Sequence, residues 1–388
     1  LLLLGGWTST RAAETAKVIP VERFGASPAW QAPQKVQADT QGRVYLLRTD
    51  TLEVFPVGKA GALGNPTKLE AATPLNAPVL DAAMGPGGPG DWLLRLPLEV
   101  RWFVAGHEKS LPPLSWRPWG VGYLRTTPVV SVVPLPAPVN GIVVRHPGDE
   151  GPSRAPAVLE LSGDRWSELV TDPWPAQRDA NTLTESLARL LLGDRSGKLW
   201  AAHLYGYVLE RYNSAGRSLS KLQVDQGRVD HVQANDVPVP KEVRSDDRPH
   251  FQPFLGVAKL TALAEGLDHR IYLLVQPGKG EDSLHLDRYD PAQETLERVT
   301  LGVQLTGRAS LAAGREGLYL VGHGGDQGRW HVAWDLLDAA DWKAVPVDGT
   351  PAPANALHPT PANPRPKSPS SGARKAPANA PAAGSGPG

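Results

Sequence analysis

The chain of 388 residues contains no cysteine. Disulfides, thiolate zinc sites and cysteine nucleophiles are therefore excluded, while either side of a membrane remains compatible. It also lacks a charge excess, with Lys+Arg 40 against Asp+Glu 40. A general electrostatic affinity for nucleic acid or an anionic membrane surface is not expected from that balance. No apolar run approaches the ~18 residues that a membrane-crossing helix needs. Long amphipathic helical stretches are scarce too. The sequence has no G-x-S-x-G elbow, and no two histidines stand at the spacing of H-E-x-x-H.

Turn formers are what the chain has in abundance. Glycine (40) and proline (39) are both above the usual share for globular proteins. Between them lie short runs of Val, Leu, Trp and Tyr, the pattern of an all-β protein. The stretch "GDRSGKLWAAHLYGYVLERYNSAGRSL", residues 193–219, shows the unit. Asp194-Arg-Ser-Gly197 has the chemistry of a type I turn closed by a residue tolerant of positive φ. Apolar runs follow at Leu199–Leu204 and Tyr207–Tyr212, then a second turn at Asn213-Ser-Ala-Gly216 and a further run at Leu219–Val224. With Leu190–Leu192 in front, this predicts four short strands joined by three tight turns. Apolar groups on both faces of the middle strands suit a sheet covered on both sides. A competing local reading is a short helix, with Thr182-Leu-Thr-Glu185 as a capping box before Leu187, Leu190 and Leu191.

The unit recurs with drift. "ADTQGRVYLL" carries Asp39 six residues before Tyr45, as Asp194 precedes Trp200. Trp92, Tyr272 and Tyr319 stand behind comparable Gly-containing turns, and Arg211-Tyr-Asn213 is echoed by Arg288-Tyr-Asp290. Tyr45 to Trp92 and Tyr272 to Tyr319 are each 47 residues, the period of a four-stranded β-propeller blade. Two abbreviated units, around Tyr123 and from Asn140, and a longer one with an insertion near 225–257 bring the expected total to seven blades between Val36 and Val347. Six is the alternative, if the two short units are one. Lys17–Phe24 is placed to complete the last sheet and close the ring. The repeated aromatics are expected to be wedges between adjacent blades.

The pattern D-x-x-G-x-[LV]-[WY] followed by R-Y-[DN], clearest near Asp39 and Asp194, resembles blades of the NHL and two-component-regulator type of β-propeller. The wider group includes SMP-30-like lactonases and streptogramin lyases. The resemblance implies the fold and is nearly silent on activity. Lactonases of this group bind a divalent ion through Glu, Asn and Asp on channel-facing loops, and no such trio matches here residue by residue.

Candidate chemistry is sparse. "GPGGPG", Gly85–Gly90, matches G-x-G-x-x-G in letters only, because Pro86 and Pro89 interrupt it and a strand-like run follows. His250, His323 and His331 belong to no compact cluster with carboxylates. Two stretches offer recognition chemistry. "LSWRPWGVGY" brings Trp116, Arg117 and Trp119 together, residue types favoured at binding hot spots or in packing between blades. The polar insertion at 235–254 carries Asp246, Asp247, Arg248, His250 and Phe251, which would cap one channel mouth or form a surface excursion. Residues 1–12, with Leu1–Leu4 and small residues at Thr10 and Ala12, fit a signal-peptide remnant. Residues 13–347 form the propeller, and the Pro/Ala-rich residues 348–388 fit a disordered tail. The expectation is an exported module, periplasmic or secreted, that binds a protein or carbohydrate partner without catalysis or a required cofactor. A metal-dependent lactonase or lyase, with a divalent cation at the channel mouth, is the alternative. A sensor domain of a longer receptor is the third reading.

Overall fold

The computed structural model describes residues 18–24, 34–133, 154–173, 188–203, 207–224, 259–276, 284–303, 305, 309–322, 328–345 and 347. Two short strands come first, β1 (Val18–Ile19) and β2 (Glu22–Arg23). The first blade is β3 (Gln34–Ala38), β4 (Val44–Arg48), β5 (Glu53–Val57) and β6 (Thr67–Lys68). The second is β7 (Asp81–Met84), β8 (Trp92–Arg95), β9 (Val100–Val104) and β10 (His107–Lys109). The third is β11 (Arg117–Leu124), β12 (Thr127–Val133), β13 (Arg154–Ser162) and β14 (Arg165–Pro173). The fourth is β15 (Arg189–Gly193), β16 (Leu199–His203), β17 (Val208–Tyr212) and β18 (Ser218–Gln223). The fifth is β19 (Lys259–Glu265), β20 (Ile271–Gln276), β21 (Leu284–Asp290) and β22 (Thr295–Leu301). The sixth has β23 (Ala309–Ala313), β24 (Gly317–Gly322) and β25 (Arg329–Ala333) from its own stretch of chain and takes β2 as its fourth strand. A helical turn, α1 (Trp334–Asp338), and β26 (Lys343–Ala344) follow.

The blade count is six among the described residues, so the expected seven is corrected to the alternative. The two abbreviated units each supply only a hairpin, β11–β12 and β13–β14. Val129, Val130 and Ser131 pair with Glu160, Leu159 and Val158. A two-stranded hairpin has too little surface to stand as a blade, and the stretch between them joins strands within one sheet. The four strands expected over 190–224 are present as β15–β18, and Leu190 and Leu191 belong to a strand. The rest of the competing helix lies outside the described residues, as do residues 225–258 between β18 and β19.

The first strands of the six sheets lie side by side round an axis, in the order β3, β7, β11, β15, β19, β23 and back to β3. They run in one direction. Lys35 Nζ donates to Leu80 O at 2.9 Å and Gln37 Nε2 to Ala82 O at 3.2 Å, two residues further on both strands. Both faces of each sheet point at a neighbouring blade, so alternate residues of one strand enter different seams. Tyr272 and Leu274 pack against the sixth blade, whereas Ile271, Leu273 and Val275 pack against the fourth. Tyr45, Trp200 and Tyr319 point in the same sense as Tyr272, into the seam with the next blade. Trp92 does not. It shares the seam of blades one and two with Tyr45, and Leu93 takes the face toward blade three. Side chains alternate with period two, so a one-residue shift after the Gly85–Asp91 turn reverses the face.

Polar atoms bridge every seam. Ser310 Oγ accepts Val36 N–H at 3.0 Å, and Asp81 Oδ2 accepts Val121 N–H at 3.1 Å. Ser131 Oγ donates to Arg189 O at 2.7 Å, Arg195 N–H to Glu265 Oε2 at 2.7 Å, and Gln276 Nε2 to Leu305 O at 3.0 Å. Closure uses the chain start, as expected for Lys17–Phe24. Glu22 and Arg23 pair with His331 and Trp330, and Phe24 packs edge-on against Tyr319 at 5.2 Å. One step earlier, β1 lies parallel on the outer edge of β22 in the fifth blade, which β26 also covers. Exposed sheet edges invite pairing with other chains, and these short strands cover this one.

The seam between blades four and five also holds an ion pair, its carboxylate buried and its arginine partly exposed. Arg298 donates Nε and Nη2 to the two oxygens of Asp287 at 2.7 and 2.8 Å, and Tyr207 O–H donates to the same carboxylate. Asp287 is fully buried. Replacing it by alanine strands Arg298 and should cost about 3 kcal/mol, read as a lower denaturant midpoint at unchanged slope. Tyr207→Phe should cost about 1 kcal/mol in the same measurement.

Candidate functional site: the axial channel and its two mouths

The recurring Asp-x-x-Gly turn is a structural device, and its geometry explains its spacing. Gly197 N–H donates to Asp194 O at 2.9 Å, with Gly197 at φ 74°. Asp194 Oδ1 accepts Ser196 Oγ–H and Lys198 N–H at 2.7 and 2.8 Å. Its Oδ2 takes Trp200 Nε1–H at 3.2 Å and Arg211 Nη2–H at 2.7 Å, and that guanidinium stacks on the Trp200 ring. One carboxylate thus ties the turn, the wedge and the Arg of R-Y-N together. Burial alone would raise Asp194, but bonds from Ser196, Lys198 N–H and Arg211 outweigh it and hold its carboxyl below the ordinary range. The first blade repeats the turn with an exposed arginine partner, Asp39 accepting Gln41 and Arg43 N–H at 2.9 Å and Arg43 Nε–H at 2.6 Å.

These turns surround the mouth at which the inner strands end. A cavity of about 180 Å³ runs inward from it, lined by all six inner strands. Its wall includes Ala82, Ala83, Val121, Leu191, Ala262, Leu263, Leu311 and Ala312, with Gln37, Asp81, Thr261 and Ser310 as polar interruptions. Those four already serve sheet or seam bonds, Thr261 by donating to Leu274 O at 3.1 Å. Gly85–Gly90 forms the turn between β7 and β8, with Gly88 N–H donating to Gly85 O at 3.1 Å, so no helix follows these glycines. Among the described residues, no group of three or more His, Asp or Glu could hold a metal ion.

The other mouth, where the inner strands begin, is chemically richer. Strand β8 runs antiparallel to β7, which returns Arg95 to the level of Asp81. Arg95 is buried, donates Nε–H to Pro118 O at 3.0 Å, and lies over the Trp119 ring at 5.1 Å. Trp119 sits at an irregularity in the β11–β12 pairing between Pro118 and Gly120 and packs with Val133 and Ala188. Arg117 opens the same strand, and its Nε is buried with no hydrogen-bond partner among the described residues. Trp116 instead joins Trp102, Leu111 and Trp166 at the seam of blades two and three. The structure therefore sets Arg117 and Trp119 at the mouth and gives Trp116 to packing. Asp246, Asp247, Arg248, His250 and Phe251 lie outside the described residues.

Sequence reasoning missed the partners supplied by other blades. On the fourth blade, Nε of buried Arg189 lies 3.1 Å from His203 Nε2, and Arg189 approaches Glu210 at 3.5 Å. His203 Nε2 is also 3.3 Å from Glu210, and Tyr212 O–H donates to that carboxylate. Burial would raise Glu210, but hydrogen bonds from His203 and Tyr212 and the charge of Arg189 outweigh it and lower it to about 2. A usable signal did exist. The runs "VYLLR" and "DWLLR" each end on an arginine, Arg48 and Arg95, where an apolar second strand reaches the mouth.

Six four-stranded sheets set radially round an axis define a β-propeller. The resemblance to propellers of the NHL and two-component-regulator type holds at the level of this fold. No family model matches the sequence, and no curated protein matches it. Solved structures similar to it include a streptogramin B lyase, at 9% identity over 80% of this chain and 96% of that one, TM-score 0.43. A protein of unknown function from Bacteroides thetaiotaomicron is 8% identical over 82% of this chain and 75% of that one, TM-score 0.46. The extracellular domain of a presumed one-component system from the same organism is 9% identical over 80% of this chain and 34% of that one, TM-score 0.38. Likeness at this level carries no argument about activity. Among the described residues, no helix is long and apolar enough to cross a membrane.

Two outcomes follow for the residues around the mouths. Asp194→Ala removes four bonds at a buried site and should cost about 2–3 kcal/mol in denaturant unfolding, against about 1 kcal/mol for Asp39→Ala, whose arginine partner Arg43 is exposed. Glu210 is held below its ordinary 4.5, so its contribution is complete above that pH and is lost as pH falls toward 2. Wild type should therefore lose about 1–2 kcal/mol more than Glu210→Gln between pH 6 and pH 2.5, after allowance for solvent screening, in urea melts at each pH.

Proposed function

We propose that the chain is an exported, non-catalytic propeller module that recognises a protein or carbohydrate partner at the mouth where the inner strands begin. One observation carries this reading. Arg117 and the Arg95–Trp119 stack share that mouth with the loop after Arg95, where Leu98 is 73% exposed. Tryptophan and arginine held rigidly beside an exposed apolar side chain are the groups from which binding hot spots are built. The exposed turn that carries Leu98 takes no part in the apolar seams between blades, which suits variation for recognition. Export is supported by Leu1–Leu4 followed by the small residues Thr10 and Ala12.

The rival reading is an enzyme at the same mouth, a metal-dependent lactonase or a lyase. The specific observation in its favour is the His203–Glu210 pair beside Arg189, since paired titratable groups serve acid–base chemistry. A sensor domain of a longer receptor is a form of the binding reading and uses the same mouth.

A thermal-shift screen against a panel of soluble oligosaccharides and against Mg²⁺, Ca²⁺, Mn²⁺ and Zn²⁺, with elemental analysis of the purified protein, separates the two. Binding predicts a rise in melting temperature with a saccharide that is lost in an Arg117→Ala, Trp119→Ala double variant. Stoichiometric bound metal, with a metal-dependent rise that survives the double variant and fails in His203→Ala, would favour the enzyme.

A further inference from the structure

The strand that closes the ring is short, and its partner strand presents a histidine to it. Glu22 and Arg23 pair with His331 and Trp330, and Phe24 N–H donates to Arg329 O at 3.2 Å. Phe24 is buried and stands edge-on to Tyr319 at 5.2 Å. The other partner of Tyr319 is His331, with ring centroids 4.6 Å apart. Phe24, Tyr319 and His331 thus form one aromatic stack that pins the closing strand. His331 Nε2 is buried without a hydrogen-bond partner among the described residues, close over Gly317, which has no side chain to crowd it.

We propose that His331 is a proton-operated latch, so that its protonation loosens β2 from β25 and opens the propeller at its closure point. A neutral imidazole tolerates this packing because Nε2 can stand as an unused acceptor. The imidazolium must place a charged N–H at the same buried atom, a cost that disappears once β2 lifts away. The surroundings of His331 act in both senses. Burial opposes the protonated ring and prevails, holding His331 below its ordinary value, while the charges of Glu22 on β2 and Glu316 before β24, the backbone of Glu316 and the charge of Asp335 in α1 favour it. The sign follows from the direction of the shift. The latched state binds protons less readily than the opened one, so latching is complete above the ordinary histidine value of 6.5 and weakens as pH falls below it.

The Phe24 amide reports the latch directly. Hydrogen-exchange protection factors, corrected for the intrinsic pH dependence of exchange, should fall at Phe24 by roughly three- to tenfold between pH 7.5 and pH 5. Protection within β20, remote from β2, should hold over the same range. In His331→Phe, which keeps the stack and cannot titrate, protection at Phe24 should be flat. Constant protection at Phe24 in the wild type overturns the proposal, and so does an equal fall in His331→Phe, which would assign the effect to Glu22 or Glu316. If that variant fails to fold, titration of the His331 ring resonances by NMR in the wild type decides the matter. A midpoint at or above 6.5 would refute the latch.

Discussion

Each sheet in this protein is apolar on both faces, and no sheet can cover itself. That constraint organises the rest. A four-stranded unit with Leu273 turned to one side and Tyr272 to the other needs a neighbour on each side, and only a closed ring supplies neighbours for every unit. The large buried aromatics follow from the same requirement. A radial sheet leaves a gap that widens away from the axis, and Tyr45, Trp200, Tyr272 and Tyr319 fill it. The seam hydrogen bonds then set how one inner strand lies against the next, which apolar contact alone would leave loose.

Closure is where the arrangement is thinnest. Five blades take all four of their own strands from one continuous stretch of chain, whereas the sixth borrows β2 from the beginning. The borrowed pairing is two residues long, so its hold depends on the side chains around it, chiefly Phe24 against Tyr319. Conversely, β22 of the fifth blade carries both β1 and β26 on its outer edge. The first and last strands of the described chain therefore meet on the outer edge of the fifth blade and cover it.

The two mouths divide labour. Where the inner strands end, the carboxylates are absorbed into turns, as Asp194 is by Ser196, Lys198, Trp200 and Arg211. Where they begin, cations and aromatic rings gather: Arg95 over Trp119 with Arg117 nearby, and Arg189 against His203 and Glu210. A site read from single stretches of sequence could include Arg117 and Trp119, because they are neighbours in "SWRPW". Nothing in those stretches joins them to Arg95 or Arg189, which stand 22 residues before and 72 residues after Arg117, although "DWLLR" marks Arg95 by itself. The same limit explains Trp116, which resembles its neighbours in composition but turns into a seam.

Strand and turn chemistry is local, and the sequence alone determined it. Asp and Gly at the ends of a four-residue turn, apolar runs of strand length and an aromatic at fixed spacing specify hairpins that need no distant partner to be recognised. From that came the all-β class, the ring and the closing role of Lys17–Phe24. Tertiary structure alone decided the rest. Whether two hairpins make two blades or one depends on pairing across a long connection, and only β12 against β13 shows it. The face taken by Trp92 depends on a one-residue register, which composition does not record. The gathering of charges at one mouth depends on the axis, which brings together side chains that the sequence keeps far apart.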